Sequence, residues 1–308
     1  MDKNIVIGVD VGGSHITSAA VDLGNLTIVD GTLFSNKVNS KGSKEVIFES
    51  WAKAISRSIK SVSLTGTKRI SFAIPGPFQY KKGIAMFEIN DKYENLYQVS
   101  VSDELPAFLE EDDIAFRYLN DATSFGVGVA RIGEAKEYHK VIALTLGTGF
   151  GSCFITDGIP HVNTPDVPED GCLWDKPFRQ GIADEYFSTR WFKKRYLELS
   201  STEIKGVKEI AEADNEFSKA VFNEFGNNLA EFMAPVIRKY KPDLIVLGGN
   251  ISNASNQFLP ATKEKLSSED LNVKFIISSL MEEAAIIGSA RLFEPDFWSE
   301  VKKDLPNI

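Results

Sequence analysis

Cysteine is nearly missing from this chain of 308 residues, which holds only Cys153 and Cys172. Two thiols exclude a disulfide framework and any zinc site built from four cysteines of one chain, and they suit a reducing compartment. Basic charge is also in deficit, with 34 Lys and Arg against 43 Asp and Glu and a formal net charge of -9. That balance opposes a broad basic face for nucleic acid. A small anionic ligand can still be held locally, by backbone N–H groups, a few cations and a metal. Long apolar runs are absent: MDKNIVIGVD has three apolar residues in succession before Gly8, and eighteen never occur in a row. Neither a signal peptide nor a membrane span is expected, and the reading is cytoplasmic. No GxxxxGK[ST] sequence occurs, which excludes a P-loop enzyme.

The hydrophobic content of 43% is enough to fill two cores. Residues 4–10 (NIVIGVD) predict a buried strand, followed by the glycine turn VGGS, the β-prone HITSAAVDL, a turn near Asn25 and TIVDGTLF. Consecutive hairpins of this kind differ from the strand-to-helix start of a Rossmann domain. Val46, Ile47, Trp51, Ala54, Ile55 and Ile59 recur at helical spacing, with Ser43 as N-cap. RISFAIPGPF reads as a strand broken at Pro75 and Gly76, and DIAFRYLND as a strand ending in Asn120 and Asp121 before a small-residue helix. KVIALTL and GSCFIT flank GTGF, so the strand, turn and strand pattern recurs. Residues 157–181 read as a long irregular loop of the functional kind. Helices are expected over 182–199 and 215–240, then DLIVLGGN as a strand, a helix over 254–266, VKFIIS as a strand and a helix over 282–293. The two β-rich glycine units suggest two related halves.

Four constellations carry chemistry. In Asp10-Val11-Gly12-Gly13-Ser14, two residues without Cβ let the backbone turn tightly and offer N–H groups to phosphate, with Asp10 placed to orient hydrated Mg²⁺; alone, it is equally a plain hairpin turn. Gly147-Thr148-Gly149 offers the same chemistry, and the strand after it demotes a dinucleotide fingerprint. Gly248 and Gly249 end a buried strand in a form that suits a flat adenine or ribose, or simply close packing. Asn120 and Asp121 stand at a strand's C-terminal end, where open α/β sheets place ligand-binding groups; the plain reading of Asp121 is a helix N-cap.

In their order and spacing, Asp-x-Gly-Gly-Ser, Pro-Gly, Asn-Asp-Ala, Gly-Thr-Gly-x-Gly and Gly-Gly-Asn resemble the ROK family of sugar kinases and repressors, from about Ile5 to Phe293. The resemblance implies an α/β, two-lobed actin-like ATPase (ribonuclease H-like) fold, with mixed sheets flanked by helices and a duplicated core. It implies a small lobe over 1–119, completed by 294–308, and a large lobe over 120–293. Gly12, Gly13 and Ser14 then correspond to the first phosphate loop, Gly147, Thr148 and Gly149 to the second, and Gly248 and Gly249 to the adenosine contact. By the same resemblance, Pro75 and Gly76 would line the sugar site, Asn120 would bond sugar hydroxyls and Asp121 would be the catalytic base. A homodimer is implied as well; Trp191, Phe192 and Tyr196 suit an interface or a core equally.

Two departures stand out. Family kinases carry Gly-Glu-x-Gly-His and a zinc-binding cysteine cluster, whereas here the stretch is PEDGCLWDKPFRQGIADEYFS. Zinc is therefore not expected, and Glu169 and Glu185 are the candidates for the sugar-binding carboxylates, with a solvated surface role as the plain reading of each. Ser14-His15 replaces the usual Thr-Lys, keeping the hydroxyl and removing a cation. The implied reaction is ATP plus hexose giving hexose 6-phosphate and ADP, with glucose the first candidate. The alternatives are a sugar-responsive repressor, which would carry a helix-turn-helix ahead of the first phosphate loop, and a sugar-binding protein without catalysis.

Overall fold

Strand Ile5–Val11 turns at Gly12–Ser14 into the antiparallel strand His15–Asp22, in the register Asp10↔Thr17 and Val11↔Ile16. The computed structural model describes residues 4–88 and 92–305. Strands Thr27–Ile28 and Phe34–Lys37 pair antiparallel with the second strand. On the other side of the first, Lys68–Ile74 and Ile114–Asn120 add in parallel. Val6, Ile7, Val9, Ile70, Phe72 and Ile74 are all fully buried, as strands covered on both faces require.

Helix Lys44–Lys60 starts from Ser43 and buries Ile47, Phe48, Trp51, Ala54, Ile55 and Ile59 along one stripe. Val46, expected on that stripe, is exposed, because it lies about 180° round the helix from Ile55, in the middle of the stripe. Helix Val101–Leu109 is not among the elements expected from the sequence; it starts at Ser100, whose hydroxyl accepts the Asp103 N–H at 3.3 Å.

Helices Asp121–Arg131 and Met281–Ala290 meet backbone to backbone. A Cβ on Gly128 would lie 2.0 Å from the Ala284 carbonyl oxygen, and one on Gly288 1.9 Å from that of Ser124. Only glycine permits this approach, and it holds both helices against the first sheet.

A second unit repeats the plan. Lys140–Leu146 and Phe150–Thr156 form an antiparallel hairpin, Leu244–Gly248 pairs parallel with the first of these, and Lys274–Ile277 pairs parallel with Leu244–Gly248. The recurrence read from the sequence is therefore a recurrence of topology, and the core is duplicated. Asn215 caps helix Glu216–Tyr240 by accepting the Ser218 N–H at 2.9 Å. Val221, Phe225, Leu229 and Met233 of that helix are buried with Trp191, Phe192 and Tyr196, which belong to this core.

The helix expected over 182–199 is two helices, Ala183–Tyr186 and Thr189–Ser200. It breaks because the Thr189 N–H and hydroxyl both donate to the Gly147 carbonyl, at 2.8 and 2.9 Å, instead of continuing a helical ladder. Residues 157–181 are less irregular than expected, containing the short strands Ile159–His161 and Pro177–Phe178 and a turn at Glu169–Gly171.

By internal contacts, one compact unit runs up to Gly133, takes in Gly158–Pro160 and resumes at Leu280; the other comprises Glu134–Asp157 and His161–Ser279. Helix Asp121–Arg131 thus groups with the first sheet through its glycine crossing, whereas the sequence expectation divides the chain between 119 and 120. Among the described residues no helix is long and apolar enough to cross a membrane.

Candidate active site

In the first unit, three parallel strands bring their C-terminal ends into one row. Asp10 pairs with Ala73, and Ile74 pairs with Asn120, so the Gly12–Ser14 turn, Pro75–Gly76 and Asn120–Asp121 all emerge at the same sheet edge. The Gly12 N–H donates to the His15 carbonyl at 3.0 Å and closes the turn. Asp10, Gly12, Gly13, Pro75, Gly76, Asn120 and Asp121 are half-buried, and Ser14 is exposed.

Tyr80 ties two of these segments together. Its hydroxyl donates to the Ile74 carbonyl at 3.2 Å and accepts from Asn120 Nδ2 at 3.3 Å. Asn120 Oδ1 accepts the Thr123 N–H at 3.1 Å, so the cap of helix Asp121–Arg131 is Asn120. The plain reading of Asp121 as N-cap is replaced. Asp121 is the first helical residue, and its Oδ1 accepts the Ala122 N–H at 2.8 Å.

Burial raises the proton affinity of Asp121; the Ala122 N–H and the charge of Lys92 act in the opposite direction. Asp10 is held well above the usual carboxylate range, first by burial and then by the charges of Asp121 and Glu282. The charges of two other carboxylates thus act on Asp10.

Lys92, Tyr93, Thr17 and Glu282 at this edge escape sequence reading. The Tyr93 hydroxyl donates to the Gly12 carbonyl at 2.6 Å, and Lys92 crosses Gly13, with Nζ 2.9 Å from the point a Cβ would occupy there. His15 Nε2 lies 2.7 Å from Glu282 Oε1, and the Thr17 hydroxyl donates to Glu282 Oε2 at 3.0 Å. No pattern marks Lys92 or Tyr93, which lie in the polar segment NDKYEN. Glu282 stands far along the chain from its partners.

In the second unit, the Gly147 N–H donates to the Gly149 carbonyl at 3.0 Å. Asp184 accepts the Phe150 N–H at 2.7 Å and pairs with Arg190, whose guanidinium also donates to the Thr148 carbonyl at 3.2 Å. Gly248 is the last residue of its strand, and Gly249 follows with φ +80. A Cβ on Gly249 would stand 2.3 Å from the Leu146 carbonyl oxygen, so the two glycine segments of this unit abut.

Glu169 and Glu185 are exposed. Glu169 opens a short turn, and the Glu185 carboxylate accepts the Ile182 N–H at 3.2 Å, capping its own helix. Cys153 is buried and Cys172 partly so. Among the described residues no group of three or more His, Cys, Asp or Glu is arranged to hold a metal.

The sequence model of the ROK family matches residues 6–295. A glucokinase of Thermotoga maritima is 24% identical over 335 aligned positions, covering 96% of this chain and 98% of its own. An N-acetyl-D-glucosamine kinase of Vibrio parahaemolyticus is 33% identical over 158 positions, covering 44% of this chain and 51% of its own. The crystal structure of a ROK family glucokinase from Streptomyces griseus, in complex with glucose and AMPPNP, superposes with a TM-score of 0.70 at 19% identity, covering 94% and 98% of the two chains. The repeated sheet plan is accordingly that of the two-lobed actin-like fold. With its strand-end motifs in the expected order and a family match over nearly its whole length, the chain belongs to the ROK family.

Proposed function

We propose that this chain is an ATP-dependent sugar kinase with Asp121 as catalytic base, acting on a hexose hydroxyl, with the 6-OH of glucose the first candidate. One observation carries the reading: the shared sheet edge gathers a glycine turn suited to phosphate, the Pro75–Gly76 segment and a half-buried carboxylate in one row. The similarity to sugar kinases supports it. Asp121 takes the proton of the attacking hydroxyl as its oxygen bonds to the γ-phosphorus, and ADP leaves with the electrons of the broken P–O bond. A carboxylate whose proton affinity is raised by burial suits that task. Asn120 and the Pro75–Gly76 segment orient the sugar, and Tyr80 holds them in register.

On this reading Gly12, Gly13 and Ser14, and likewise Gly147, Thr148 and Gly149, would offer N–H groups to phosphate, and Gly248 and Gly249 would contact the adenosine. Mg²⁺ fits the donor set, since it keeps most of its waters and binds through one or two carboxylates and the nucleotide phosphates. Asp10, a half-buried carboxylate at the phosphate turn with two acidic neighbours, would hold it through water, where it would neutralise phosphate charge. The reading extends to a homodimer in the cytoplasm.

A catalytically inactive sugar binder is the second reading, favoured by the missing His and by the use of Glu185 as a helix cap. ADP release with glucose, mannose, fructose and N-acetylated hexoses separates the two. Turnover with one of them, falling about 10²–10⁴-fold in Asp121→Asn, is the expected result. Near-normal turnover in that variant removes Asp121 from its role.

A further inference from the structure

We infer that Lys92 is a catalytic cation of this site, touching the transferring phosphate of a nucleoside triphosphate at the first glycine turn. The inference rests on the kinase reading and adds a residue to it. The turn lacks the lysine that the Thr-Lys form would supply, and His15, in its place, is committed to Glu282 at 2.7 Å. A cation is nevertheless present, delivered from another segment. The Lys92 stem lies across Gly13, with Cδ, Cε and Nζ at 2.9, 2.8 and 2.9 Å from the ideal Cβ position. A side chain at position 13 would displace it, so Gly13 is at once the phosphate turn and the bed on which the lysine rests.

The root of that lysine is fixed. Tyr93 is buried, its ring lies edge-on to Trp51 with centroids 5.7 Å apart, its N–H donates to the Ser40 carbonyl at 2.7 Å, and its hydroxyl donates to the Gly12 carbonyl at 2.6 Å. Residues 92 and 93 therefore hold the turn together, Tyr93 at Gly12 and Lys92 at Gly13, and Tyr93 is a positioning residue. The Lys92 charge also favours the ionised form of Asp121, so one ammonium acts on both the base and the turn. During transfer, negative charge moves toward the oxygen between the β- and γ-phosphorus atoms, and a pre-positioned ammonium stabilises that shift without reorganising.

The test uses the full chain and the variants Lys92→Ala, Lys92→Gln and Lys92→Arg, with ADP-release kinetics and with calorimetric binding of AMPPNP and AMP in Mg²⁺. Loss of the ammonium is expected to lower kcat/KM for ATP by about 10²–10³-fold, as for removal of one pre-organised charge-stabilising donor. AMPPNP binding weakens while AMP binding stays near wild type, Arg restores much of the loss, and the melting temperature holds. Unchanged kinetics with an unchanged AMPPNP-to-AMP preference overturns the inference, as does equal loss of both nucleotides. If the wild type transfers phosphate to no sugar, the kinase reading fails, but the binding preference of the variants still decides whether Lys92 touches the phosphates. A wild type that binds neither nucleotide overturns both.

Discussion

His15 and Glu282 meet at 2.7 Å, joining the second strand of the first sheet to the start of a helix 267 residues further on. The pair lies where the Gly12–Ser14 turn returns to the sheet, and both side chains are nearly half exposed. Solvent screening limits such a pair to about 0–1 kcal/mol of stability. A double-mutant cycle on His15→Ala and Glu282→Gln, read by denaturant melts, is expected to give a coupling within that range. A markedly larger coupling would mean that the pair braces the fold.

On the proposed kinase reading, the pH dependence of catalysis follows from Asp121. Burial raises its proton affinity in the folded protein, and as the proposed base it accepts a proton only when ionised. The acid limb of kcat/KM is therefore expected to fall at a pH above the ordinary carboxylate range, with activity lost as pH drops through that point. Because Lys92 opposes the rise, Lys92→Gln is expected to move the limb to higher pH. A limb that stays in place separates the lysine electrostatically from the base.

Most of this edge was legible because strand ends and glycine turns leave local marks. Asp10, Gly12, Asn120 and Asp121 each stand at the end of a β-rich run, and the parallel pairing of the strands, which only the structure shows, puts them side by side. What escaped is contributed by segments without periodicity or by distant partners. Lys92 and Tyr93 sit in a polar segment, and Glu282 stands on a helix brought to the first sheet by close backbone approaches at Gly8, Gly128 and Gly288, which no local pattern marks. Within the second unit, the helix break at Thr189 was hidden for a similar reason: its cause is a hydrogen bond to Gly147, forty-two residues earlier.

Asp10 offers a trade between stability and function. Its folded proton affinity is raised, so its contribution to stability is fully present below the unfolded carboxylate range and lost as pH rises through the folded value. Above the unfolded carboxylate range, burying this carboxyl is thus a cost to the unliganded fold. Asp10→Asn is expected to raise the melting temperature by a few degrees at neutral pH, with the gain shrinking in acid, while phosphoryl transfer collapses. A lower melting temperature at neutral pH would show that the carboxylate stabilises the turn instead.

The glycines of the second unit separate conformation from ligand approach. Gly249 has φ +80, and its Cβ would stand 2.3 Å from the Leu146 carbonyl oxygen, so Gly249→Ala combines backbone strain with a clash against another strand's main chain. It is expected to cost about 1–3 kcal/mol or more in unliganded stability, measurable by denaturant melts. Gly147 has nothing within 4 Å of its Cβ position and no left-handed backbone. Gly147→Ala should therefore melt within about 1 kcal/mol of wild type, the ordinary scale of a glycine-to-alanine change. Its methyl group instead points into space that the proposed function gives to a phosphate, so its expected defect is weakened AMPPNP binding. If both variants melt like wild type and bind AMPPNP normally, neither turn is shaped for the nucleotide; if Gly147→Ala alone loses the nucleotide with its fold intact, the second phosphate contact is placed at this turn.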